Sequence, residues 1–135
     1  MDSYLASNEF LADINNEIPD IHNTKYAKNL SSLNKLVLVL FFNDVTVVPK
    51  ESSWFGSYAP RNGSLPWEKT IIPMWEQELY LHDTIGLKKL DERGGIAFIR
   101  CNGVHMQLTD DCWRLLVEEF VGGVVRGTPS FRIQV

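Results

Sequence analysis

Leu36 to Phe42 is a run of seven apolar residues, LVLVLFF, unbroken by any polar side chain. A strand with one face in water alternates apolar and polar residues, whereas a strand buried on both faces does not. Burial on both faces is the habit of parallel sheets covered by helices. The run is far short of the roughly 18 apolar residues that a bilayer-spanning helix needs. It stops at Asn43-Asp44, a turn signal. A second apolar segment, Ile96 to Cys101 (IAFIRC), is another strand candidate.

Helical patterns surround these strands. Thr24 to Asn34 reads as a helix capped by Thr24, with Tyr26, Leu30 and Leu33 on one face. Asp83 to Arg93 reads as a second helix, with Asp83 or Thr84 as cap and Gly94-Gly95 as its stop. After Thr109 and Asp110, the residues Trp113, Leu116, Val117, Phe120 and Val121 make an amphipathic stripe that ends at Gly122-Gly123. Residues 49–75 form a long loop rich in Pro, Gly, Ser and Trp, and loops of that length are usually functional. Helices alternating with apolar strands predict an α/β fold with a parallel sheet. Two strands do not complete such a sheet, so residues 1–135 read as a single partial α/β domain.

Composition excludes several functions. Thirteen Lys and Arg stand against seventeen Asp and Glu, a net charge of -4, so no phosphate-seeking field favours nucleic acid. His22, His82 and His105 lack metal-ligand spacing, and no GxGxxG or GxxxxGK[ST] is present, so no metal or other cofactor is expected. Residues 1–5 have neither the basic nor the apolar region of a secretory signal. Cys101 and Cys112 do not form a CxxC; they are expected as free thiols, with one bridge the most they can make.

One pair of residues is placed for chemistry. In open α/β sheets functional groups gather beyond the carboxyl ends of the strands. Asp44 follows the first strand and His105 follows the second. An aspartate there can fix the tautomer of a histidine, which then serves as general base. The order Asp before His is that of α/β-hydrolases. The plainer alternative is an Asx turn at Asp44 and an ordinary loop residue at His105. No serine lies in a G-x-S-x-G elbow; Ser57 and Ser64, in the loop after Asp44, lack that context.

The residues themselves resemble a known family. Ser7 to Glu17 (SNEFLADINNE), Leu36 to Asp44, Val48 to Ser52, Ser53 to Gly56, Ile72-Pro73, Glu78 to Tyr80, Asp83, Gly86 to Asp91 and Gly103 to Leu108 are similar, in order, to palmitoyl-protein thioesterases. The resemblance covers about 7–121; residues 122–135 are a divergent tail. It implies the C-terminal portion of a lysosomal α/β-hydrolase that removes long fatty acyl groups from protein cysteines without a cofactor. Its partners would be S-acylated proteins or acyl thioester substrates. It implies that Asp44 is the catalytic acid and His105 the base, with Val104 replacing an Asp of the family pattern G-D-H-L-Q. The nucleophile elbow and oxyanion hole of that family have no counterpart here, so the chain alone is expected to be inactive. The alternative is a non-catalytic interaction or regulatory fragment of such an enzyme.

The aromatic loop residues Trp54, Phe55, Tyr58, Trp67 and Trp75 are candidates for an acyl groove, although packing against neighbouring elements is the expected use of each. Two sequons, at Asn29 and Asn62, are candidate glycosylation sites in a secretory-pathway protein. Val45 removes the sequon that the family often carries at the position of Asn43.

Overall fold

The computed structural model describes residues 5, 7–18, 20–59 and 70–122. Asn62, Ser64, Trp67 and most of the 122–135 tail therefore lie outside the described residues. In chain order the elements are α1 (Glu9–Ile14), α2 (Thr24–Ser31), β1 (Leu36–Phe41), a 3₁₀ turn (Lys50–Trp54), β2 (Ser57–Tyr58), β3 (Ile71–Ile72), a 3₁₀ turn (Met74–Glu76), α3 (Glu78–Leu81), α4 (Leu87–Glu92), β4 (Ile96–Cys101), α5 (Asp110–Leu116) and a π-helical turn (Val117–Val121). They fall into two units, residues 1–36 with 75–96 and residues 37–74 with 97–135.

The first unit is helical. Its α1 is capped by Asn8, whose Oδ1 accepts the Leu11 N–H at 2.9 Å. The cap of α2 is Asn23, which accepts from the Lys25 N–H at 3.0 Å; the expected cap, Thr24, is the first helical residue. Gly86 (φ +81°) precedes α4, and a Cβ on it would meet the Ala27 carbonyl oxygen at 2.2 Å. Only glycine lets the α4 entry approach α2 this closely. Leu87 and Leu90 of α4 are fully buried.

Asn16, only 4% exposed, ties the same unit together. Its Nδ2 donates to the carbonyls of Thr84 (2.8 Å) and Asn23 (3.3 Å), and its Oδ1 accepts the Asn23 N–H (2.8 Å). A buried amide with each of these bonds made is a cross-link rather than a cost. Asp83 does cap the second predicted helix, but from a distance. Its Oδ1 accepts from the Lys88 and Lys89 N–H groups while Asp83 itself sits at φ +50°, so the helix begins at Leu87 and not at Asp83.

The second unit holds the sheet. β1 and β4 pair in parallel, and the register in which Leu36 N–H donates to Gly95 (2.8 Å) holds to Phe42 N–H on Cys101 (2.8 Å). Asn43 N–H then donates out of that register to Gly103 (3.2 Å). The architecture is a partial α/β fold with two parallel strands. Most of β1 is half-buried, with Leu40 alone fully buried, because a two-stranded sheet gives each strand a free edge. The 49–75 loop is not wholly irregular: β2 and β3 pair antiparallel, Ser57 opposite Ile72 and Tyr58 opposite Ile71. Trp54 packs edge-on against Phe98 and donates from Nε1 to the Leu38 carbonyl at 3.1 Å, whereas Trp75 is 44% exposed.

The expectation of two free thiols is overturned. Cys101 and Cys112 are joined in a disulfide, with their Cα atoms 5.5 Å apart. The parallel strand delivers Cys101 beside the first turn of α5, a separation that a disulfide spans without moving the backbone. The predicted C-terminal helix forms, but Trp113, Val117 and Val121 of its apolar stripe are exposed, and Cys112 is the one buried residue of α5.

Candidate active site

Two loops leave the carboxyl ends of β1 and β4, and the sheet register brings them side by side. Asn43 joins them at the base: its Nδ2 donates to the Asn102 carbonyl at 2.8 Å, alongside its main-chain bond to Gly103. Asp44 then folds back, its N–H donating to Phe41 at 3.1 Å. Its Oδ1 accepts from the N–H groups of Thr46 (2.8 Å) and Val47 (3.1 Å), an Asx turn that locks the carboxylate rotamer.

The other oxygen, Oδ2, lies 2.8 Å from Nδ1 of His105. The Asp44 side chain is 4% exposed and that of His105 is 41% exposed. An ionised carboxylate only accepts, so Nδ1 carries the proton, and whenever the ring is neutral the free lone pair is on Nε2. The hydrogen bond from His105 is the largest influence on the Asp44 carboxyl. Together with the Val47 and Thr46 amides and the His105 charge, it holds the pKa below the ordinary 3.8 against the opposing effect of desolvation. The Asx turn and the histidine contact are thus both present: one oxygen orients the carboxylate and the other meets the ring.

His105 reaches this position from a tight turn. The Gln107 N–H donates to the Val104 carbonyl at 3.0 Å, and Met106 at the third position has φ +57°. Gly103 lies against this turn, where a Cβ would meet the Gln107 carbonyl oxygen at 2.2 Å. The side chain of Gln107 accepts the Val104 N–H at 3.2 Å.

An open depression of about 410 Å³ lies beside Asp44, lined by Val45, Val47, Val48, Pro49, Tyr58 and Ile71 together with the charged Lys50 and Glu51. Val45 and Val48 on its wall are largely exposed. Of the aromatic candidates, Tyr58 lines it; Trp54 is committed to the sheet. Ser57 lies in β2, its hydroxyl donating to the Tyr58 carbonyl at 3.5 Å. Asn29 is exposed on α2. His82 is paired with Glu78 at the surface, in the other unit. Neither the Asn43 bonds nor the Cys101–Cys112 bridge follows from sequence pattern; the one signal is that the two cysteines bracket His105.

An aspartate and a histidine thus meet beyond the ends of the parallel strands of an α/β scaffold, where functional groups of such folds gather. The model of the palmitoyl protein thioesterase family matches residues 1–105. The chain belongs to that family. It is 49% identical over 108 residues to palmitoyl-protein thioesterase 1 of Caenorhabditis elegans, covering 80% of this chain and 34% of that protein. It is 41% identical over 105 residues to palmitoyl-protein thioesterase 3 of Dictyostelium discoideum (78% and 34%). Against lysosomal thioesterase PPT2 of Homo sapiens it is 38% identical over 100 residues (74% and 30%). The chain spans about a third of the length of these relatives.

Proposed function

We propose that this chain supplies the acid and the base of a serine-type thioesterase acting on long-chain acyl groups of protein cysteines. The observation that carries this reading is the 2.8 Å contact between Asp44 Oδ2 and His105 Nδ1. With Nδ1–H held by Asp44, Nε2 takes the proton of a serine hydroxyl as that hydroxyl attacks the thioester carbonyl. Nε2–H then gives that proton to the departing cysteine thiolate. In deacylation the same nitrogen takes a proton from the attacking water and returns it to the serine oxygen, and Asp44 stabilises each imidazolium. The valines, Pro49, Tyr58 and Ile71 of the open depression beside Asp44 offer apolar surface to an acyl chain near the reacting carbonyl.

No serine of these 135 residues stands in a G-x-S-x-G elbow. The nucleophile and the oxyanion donors therefore come from sequence other than that in hand, and the 135-residue chain alone is inactive. Each missing oxyanion donor is worth about 2.7–4 kcal/mol of transition-state stabilisation. A lysosomal setting is supported by relatives whose names carry it and by the disulfide, which persists in oxidising compartments. The test joins the N-terminal two-thirds of the Caenorhabditis elegans relative to this chain and measures release of palmitate from an S-palmitoylated cysteine peptide. Turnover by the joined protein and none by the 135-residue chain is the expected result. Serine-dependent turnover by the chain alone overturns the reading.

A further inference from the structure

We infer that the Cys101–Cys112 disulfide is a positioning element for His105, closing the loop that carries the imidazole and holding it against the Asp44 carboxylate. The bridge joins the last residue of β4 to the first turn of α5, and His105 lies within the 102–111 segment that it closes. The entry to that segment is held by main-chain and side-chain bonds from Asn43. Its exit is not held in the same way. Trp113 and Leu115 of α5, and Val117 and Val121 beyond it, are 41–74% exposed, Leu116 and Phe120 are half-buried, and Cys112 is the one buried residue of the helix, at 6%. Burial of an apolar stripe normally anchors a helix; here that stripe is only partly covered, and the covalent bond supplies the firm anchor.

Between the two anchors His105 has a 41% exposed side chain, on a turn whose next residue, Met106, occupies the left-handed region. A conformation of that kind persists only where its surroundings over-determine it. With the exit released, the turn keeps the Gln107–Val104 bond but loses its fixed placement relative to Asp44. The inference takes its functional meaning from the acid–base reading above, but its geometry and its test do not depend on turnover.

The experiment follows the Asp44 carboxyl by ¹³C NMR titration in the full 135-residue chain, in four forms: bridged, reduced by a dithiol, Cys101→Ala/Cys112→Ala, and bridged His105→Ala. Reduction transfers two electrons from the dithiol, which closes to its own disulfide while each cysteine sulfur gains a proton. In the bridged chain the carboxyl titrates below 3.8, chiefly through the His105 bond. Opening the bridge by either route is expected to raise the midpoint toward that found for His105→Ala. The Thr46 and Val47 amides, bonded to the other carboxylate oxygen, should keep their shifts, as should the protected N–H of Phe42.

An Asp44 midpoint unchanged on opening the bridge overturns the inference. Loss of Phe42 protection together with the contact also overturns it, because the bridge would then be a staple of the sheet. A midpoint that His105→Ala fails to move refutes the Asp44–His105 pairing itself. Failure of the acid–base reading is seen separately, as absence of turnover in the joined protein with the carboxyl titration intact.

Discussion

Asp44 and His105 are 61 residues apart in sequence and 2.8 Å apart in space, Oδ2 to Nδ1, with the aspartate buried and the histidine half in water. This asymmetry suits a pair in which one member orients and the other reacts. Burial with two amide bonds fixes the carboxylate, and partial exposure leaves Nε2 approachable.

The depressed Asp44 pKa makes a stability prediction. A carboxyl whose folded value lies below its unfolded one adds stability that is fully present above the unfolded value and is lost as pH falls through the folded one. Replacing Asp44 by Asn should therefore lower the urea midpoint above about pH 3.8, and the difference should shrink as the pH falls below it. A difference between the two proteins that grows on acidification below about pH 3.8 would contradict the assignment.

Glycines at positive φ separate into two kinds. Gly86 at φ +81° has a backbone oxygen 2.2 Å from where its Cβ would lie, whereas Gly94 at φ +73° has nothing within 4 Å. Gly86→Ala should cost about 2–3 kcal/mol or more, the left-handed penalty plus a forced separation of α2 and α4. Gly94→Ala should cost only the left-handed term, about 1 kcal/mol, and Gly94→Asn less. Denaturant midpoints of the three variants give the ranking directly.

The turn that carries His105 is tested from both ends. At Gly103, Ala brings a Cβ within 2.2 Å of the Gln107 carbonyl oxygen, so the turn has to move. Gly103→Ala should destabilise the chain by roughly 1–3 kcal/mol and raise the Asp44 pKa as the His105 bond weakens. Met106→Gly removes a left-handed cost of order 1 kcal/mol and returns part of it as unfolded-state entropy, so it should be neutral to slightly stabilising. Met106→Val, β-branched at φ +57°, should be the worst substitution at that position.

Much of this arrangement is readable from local pattern. Apolar segments, unbroken in β1 and interrupted only by Arg100 in β4, mark the two strands nearly to the residue, and the N-D turn and the loop after β4 place Asp44 and His105 at the same sheet end. Local pattern does not distinguish Asn23 from Thr24 as cap, since either residue type can accept from a helix N–H, although only Asn23 does so here. It misses the short helices α1 and α3, six and four residues long, because too few turns are present to show a period. The Cys101–Cys112 bond is invisible to it, because pairing is decided by where the parallel register sets Cys101. Periodicity also says which α5 side chains share a face, but not what covers them, and Trp113, Val117 and Val121 are exposed.

The functional assignment is tested most sharply against its neighbours in charge and type. In the joined protein described above, His105→Ala removes the general base and Asp44→Asn leaves the ring in the wrong tautomer. Each should cost on the order of 10³–10⁴ or more in kcat. His82 and Asp83 are the controls, because their roles are visible and unrelated to chemistry. His82 Nε2 pairs with Glu78 at 2.9 Å with both side chains more than 70% exposed, an ion pair of little consequence. Asp83 caps α4 through the Lys88 and Lys89 amides. Asp83→Ala should therefore cost about 1 kcal/mol of stability and leave kcat within a few-fold of the parent, and His82→Ala should change neither. The discriminating measurement is kcat at a temperature well below the melting transition of each variant, so that lost folding is not read as lost chemistry. If Asp44→Asn kept full turnover there while Asp83→Ala abolished it, the carboxylate that serves the histidine would have to be sought elsewhere.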